Sequence, residues 1–211
     1  MGLGITVGNP AMGDDEGEAY YQRQFALLAQ ALADSGHTGW TAPLEPAAPR
    51  GLARPHTAGF PYGYLSRLQR VYALHLEDQP VTPVTTESDL DAARTTIDDA
   101  TSLLSSHLLC HSDTAGYFVP MPLGDPVFLP QEAKVAGAGM VGSSHDLLKE
   151  LVRIAPLIGV RLESDGTLGD AEADRVHHNG GDPYEAEQIV WLALHESCRV
   201  SIATGQPIVY H

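Results

Sequence analysis

Proline and glycine break this 211-residue chain so often that only some of its segments can be regular. Between residues 36 and 59 stand Pro43, Pro46, Pro49 and Pro55, interleaved with Gly36, Gly39, Gly51 and Gly59. Proline removes a backbone donor and fixes φ, and glycine loses the most entropy on ordering, so the stretch sustains neither a helix nor a central strand. The sequence predicts a long Pro/Gly-rich loop over 36–59, acting as a lid or as a partner-contacting segment, with Trp40 packed down onto the domain. Pro80 and Pro83 impose a second break, and Pro120 and Pro122 a third.

Between the breaks, apolar periodicity assigns the elements. "LGITV" (3–7) reads as a strand, and Tyr20 to Leu32 as a helix whose start carries Asp14, Asp15 and Glu16 at the positive end of its dipole. Leu65, Leu68, Val71, Tyr72 and Leu76 form the apolar stripe of a second helix over 60–78, with His75 beside it as a hydrogen-bonded core histidine. A third helix opens at Ser88, and its stripe runs Leu90, Ala93, Ile97, Ala100, Leu104, Leu108. Residues 116–120 and 125–129 read as short strands, and the prolines between them argue for sheet edges or for a broad turn. Leu147, Leu148, Leu151, Val152, Ala155 and Ile158 mark a fourth helix, followed by "IGVRLE" as a strand. Asp182-Pro183-Tyr184-Glu185 opens a helix running to about Ile202, and "PIVYH" ends the chain as a strand. The resulting fold class is α+β (mixed α/β). We expect a single globular domain over 1–211, with five to six helices and a small sheet of short strands.

Charge narrows the partners. Acidic side chains number 27 against 12 basic ones, a formal net charge of −15, and the only lysines are Lys134 and Lys149. Such a field repels phosphate backbones and anionic lipid, so the expectation is no nucleic acid and no membrane, but another protein, itself basic, as the partner. The N-terminus lacks the pattern of a secretory signal and no apolar run reaches the ~18 residues of a membrane span, which predicts a cytoplasmic protein. Cys110 and Cys198 are expected as separate thiols.

Three stretches could carry chemistry. "KVAGAGMVGSS" has Gly137, Gly139 and Gly142 in G-x-G-x-x-G spacing, and over about thirty residues it resembles the nucleotide loop of NAD-dependent 2-hydroxyacid dehydrogenases, with Glu163 near the place of the ribose-binding acid. That resemblance implies a nucleotide held through 137–142. It also requires a buried apolar strand just before the loop, where this chain has Gln131, Glu132, Ala133, Lys134, Val135 and Ala136. The preferred reading is a turn over 142–146 that ends in a hydroxyl cap, and Gly142, Ser143 and Ser144 then offer a small anion-binding site at a helix N-terminus.

The second stretch is "SSHLLCHSD", where His107, Cys110 and His111 share a helical face and Asp113 follows, a donor set acceptable to zinc. The third, His195, Glu196 and Cys198, lies within the last helix. The leading expectation is a non-enzymatic binding or interaction protein without a cofactor, resembling an immunity protein in size and acidity. The alternatives are a metal-assisted hydrolase built on His107, Cys110, His111 and Asp113, with His145 or His75 carrying protons, and a nucleotide-binding protein.

Overall fold

The structure, a computed structural model, describes residues 2–44, 54, 58–112 and 114–211. Its elements in chain order are β1 (Gly2–Val7), α1 (Asp15–Asp34), β2 (Ala58–Pro61), α2 (Tyr62–Leu76), α3 (Glu87–Thr101), β3 (Gly116–Val119), β4 (Val127–Phe128), β5 (Met140–Ser143), α4 (Ser144–Ile154), α5 (Asp170–His177), α6 (Glu185–Thr204) and β6 (Ile208–Tyr210). The six strands form one mixed sheet in the order β2-β1-β6-β3-β5-β4. Only β3 and β5 run parallel; the other pairs are antiparallel. This is a single α+β domain.

Both faces of the sheet are covered, which explains why β3 reads Gly-Tyr-Phe-Val with no polar alternation. Tyr117, Val119, Val141 and Val209 pack with Phe25, Leu28 and Leu32 of α1. On the opposite face Phe118, Ile208 and Tyr210 meet Leu147, Leu151, Trp191, Leu194 and Cys198. Full burial of a ring such as Phe118 is worth about 2–3 kcal/mol. The chain end thus becomes a central strand, with β6 seated between β1 and β3.

Four local expectations differ from what forms. β3 is interior rather than an edge, because Pro120 falls one residue past its last ladder position and removes no sheet hydrogen bond. "IGVRLE" is no strand. Gly159 turns with φ 72, the Val160 N–H returns to the Ala155 carbonyl, and the Arg161 N–H donates to the Glu172 carboxylate at 2.9 Å, so these donors need no ladder. α3 ends at Thr101, seven residues short of Leu108; Leu104 takes a left-handed φ of 54 and is exposed. Gly142 and Ser143 belong to β5, not to a turn.

The 36–59 loop lies partly outside the described residues. Of its described part, Trp40 does pack down, its indole N–H donating to the Gly205 carbonyl at 3.0 Å. Arg54 pairs with the buried Glu196 at 3.2 Å, and residues 58–59 belong to β2. Among the described residues no helix is long and apolar enough to cross a membrane.

Candidate functional site

The histidine stretch and the glycine stretch, read separately in the sequence, meet in the fold. Because α3 stops early, residues 106–110 form an irregular turn, and His107 and His111 share no helical face. His107 lies instead against the start of α4. Its Nδ1 accepts the Ser143 N–H at 3.1 Å and its Nε2 faces the Gly124 carbonyl at 3.2 Å, which sets a neutral ring protonated on Nε2. Burial lowers the pKa of this imidazole, in keeping with that state.

His111 stacks on Phe118 at 4.2 Å between ring centroids and is edge-on to Tyr210. Its Nδ1 lies 2.8 Å from the Ser112 carbonyl and its Nε2 3.3 Å from that of Tyr117. Burial pushes its pKa down to about 4. Cys110 sits half-buried with its thiol toward the Thr101 carbonyl, and its pKa is raised by desolvation. Asp113 lies outside the described residues. Among the described residues no group of three or more His, Cys, Asp or Glu side chains is placed to hold a metal ion.

Helix α4 begins where an anion site was expected, and its start is already occupied by the chain. Ser143 caps it, accepting the Asp146 N–H at 3.0 Å. The Ser144 hydroxyl bonds Ser201 at 2.8 Å, and Ser143 and Ser144 are fully buried. Asp146 turns outward to accept the Leu123 and Gly124 amides and Lys149, which together hold its carboxyl well below the usual range. Gly142 is required for packing: it pairs with Phe118 in the ladder, and a Cβ there would run into the Phe118 ring. Of the glycine motif, Gly137 makes a turn at φ 73 and Gly142 an interior strand position, so no phosphate cradle forms over 137–142.

One residue of this junction escaped sequence reading. Glu150 of α4 is buried, and its carboxylate accepts the His107 N–H at 2.9 Å, the Leu108 N–H at 2.8 Å and the Ser106 hydroxyl at 3.3 Å. It closes the 106–108 turn from a distance of more than forty residues. Desolvation raises its pKa to about 7 against the pull of those donors. Its only sequence signal is a glutamate beside the apolar stripe of its helix.

Glu187 and Glu196 are also buried, but many other acidic side chains stand in water. Residues 71–133 hold ten Asp or Glu and a single basic residue, Arg94. In α3 that arginine pairs with exposed Asp91 at 3.5 Å, while exposed Asp98 and Asp99 occupy a last turn that has no basic residue. Glu77 and Asp78 end α2, and Asp34 ends α1, all exposed. The acids that open α1 suit its dipole, but carboxylates at helix C-termini oppose it. Their placement therefore does not serve stability.

Over residues 1–210 the chain matches a protein family described as "Putative DNA-mimic protein". It belongs to that family. No curated protein and no solved structure matches it. Membership in the DNA-mimic family overturns the immunity-protein-like reading drawn from size and acidity. It also corrects the partner expectation, which set nucleic acid aside and asked for a protein basic in its own right. The field of a −15 chain is one that a copy of DNA would carry, and membership in this family points to a protein that binds DNA as the partner.

Proposed function

We propose that this protein acts by presenting carboxylates where DNA presents phosphates, and so occupies the DNA-binding surface of a protein partner. Membership in the DNA-mimic family over residues 1–210 carries the reading. The charge distribution supports it in detail. α3, about 22 Å long, presents exposed carboxylates at Asp91 near its start and at Asp98 and Asp99 in its last turn. The exposed acids at the ends of α1, α2 and α3 work against the helix dipoles, a small stability cost that a binding role accounts for. With no catalytic step required, the buried histidines serve the scaffold. The setting is the interior of a cell, where DNA-binding proteins work.

The test is displacement. Proteins retained by the immobilised chain at low salt should be released by duplex DNA, and far less by polyglutamate at equal charge, with the steep salt dependence of a phosphate contact. Retained proteins that ignore duplex DNA, or that polyglutamate releases equally, would overturn the reading.

A further inference from the structure

Carboxylates alone attract any DNA-binding surface; choosing one partner calls for shape and apolar contact as well. The described surface offers such a feature on the α1 side of the sheet. A groove of about 1030 Å³ runs between α1, the 38–44 segment and the end of α6. Phe25, Ala29, Trp40 and Val200 are among its lining residues, and at its rim Met12 is 84% and Leu44 88% exposed. Such exposure of two large apolar side chains beside an open cleft marks a contact surface.

The groove is long rather than round. α1 contributes lining residues from Glu18 to Ala33, about 22 Å of helix, which matches a helix-in-groove contact of about four turns. Its charge is one-sided. Among the described lining residues Glu18 is the only charged one, Arg23, the only cation of α1, is not among them, and exposed Asp14, Asp15 and Glu16 follow Met12 after Gly13. None of those three carboxylates is in an ion pair among the described residues.

We propose that this groove docks an amphipathic cationic helix of the DNA-binding partner, its apolar side chains over Phe25, Ala29 and Trp40 and its Lys or Arg side chains against Glu18 and the Asp14–Glu16 run. The partner's class rests on the DNA-mimic reading; the groove and its charge do not. Many DNA-binding proteins carry cationic helices, so the occupant and the partner agree in chemistry. Hydrophobic seating supplies affinity that salt does not screen, and the carboxylate rim selects orientation and sign.

The probe is a labelled synthetic helix about 18 residues long with leucines on one face and lysines on the other, compared with a scrambled peptide of the same composition. Fluorescence anisotropy should show the patterned helix binding at least about tenfold more tightly than the scrambled one. Ala26→Phe, at an exposed lining position, should weaken it about tenfold, and Met12→Ala with Leu44→Ala about fivefold, with unchanged urea midpoints. Equal binding of both peptides overturns the proposal, since only charge would then be at work.

Two other occupants would also overturn it. One is a second copy of this chain, seen as a dimer that Ala26→Phe dissolves. The other is the chain's own 45–53 segment, seen if the peptide binds only after that segment is replaced by a Gly/Ser linker. Failure here is separable from failure of the function. A partner displaced by duplex DNA yet indifferent to Ala26→Phe leaves mimicry standing and removes the groove. A patterned helix that binds in a chain retaining no DNA-displaceable protein does the reverse.

Discussion

Two sets of acidic residues in this protein live under opposite physical rules. Glu150 is buried and accepts three donors, while Asp98 and Asp99 stand exposed at the end of α3 without a cation in that turn. The three hydrogen bonds to Glu150 offset its desolvation, so its identity is fixed by architecture. An exposed carboxylate at a helix C-terminus contributes nothing favourable to the fold. The first set therefore reports how the chain folds, and the second what its surface is for.

The sharpest way to break this comparison is to remove the buried acid. Glu150→Ala strands the Ser106 hydroxyl and the His107 and Leu108 amides in the interior and should cost about 4 kcal/mol, read from urea denaturation. A loss below about 1 kcal/mol would show that water replaces the carboxylate and that the contrast with the surface acids is false.

Titration sharpens the same contrast with an effect of about 3 kcal/mol. Glu150 is held at about 7 when folded against 4.5 unfolded, so its contribution is complete below pH 4.5 and is lost as pH rises to about 7. His111 is the mirror case, about 4 folded against 6.5 unfolded, so its contribution is complete above pH 6.5 and is lost as pH falls toward 4. The two slopes, each roughly 1.4 kcal/mol per pH unit, oppose one another between pH 4.5 and 6.5. Relative to wild type, Glu150→Gln should therefore lose stability more steeply on acidification from pH 6.5, and His111→Phe should gain it on acidification. Parallel profiles for all three proteins would remove the assignment.

Next in size is Gly142→Ala, at about 2 kcal/mol, because the added methyl meets the Phe118 ring. Phe118→Leu in the same chain should recover part of that loss, so the double variant is less destabilised than the sum of the single ones. Simple additivity would mean that the sheet shifts to make room.

How much of this was legible in the sequence follows from the range over which each feature is determined. The amphipathic helices and the β1 and β6 strands depend on local periodicity, and the polar hexapeptide at 131–136 correctly argued against a buried strand there, since it forms a 3-10 turn and a loop. The His107–Ser143–Glu150 junction was not legible, because its partners lie 36 to 43 residues apart and nothing local announces that they pair. The extended third helix failed for a different reason. Its apolar stripe continues through Leu104 and Leu108, but Asp98 and Asp99 oppose the helix dipole in the last turn, beyond which Leu104 takes a left-handed φ. The DNA-mimic reading was out of reach because a bulk count of −15 gives the sign of the partner and not its kind.

The smallest effect on stability tests the other half of the comparison. Asp98→Asn with Asp99→Asn removes two carboxylates from the negative end of the α3 dipole, where no pairing is lost, and should leave the fold as stable as before or raise it by about 0.5 kcal/mol. If these acids belong to a surface that copies DNA, the same variant should bind a DNA-displaceable partner more weakly, and the slope of log affinity against log salt should fall by about the number of lost contacts. The two readouts move in opposite directions only when an acid is kept for binding. A variant that loses stability and affinity together would place Asp98 and Asp99 with Glu150, and the division between scaffold and surface acids would have to be redrawn.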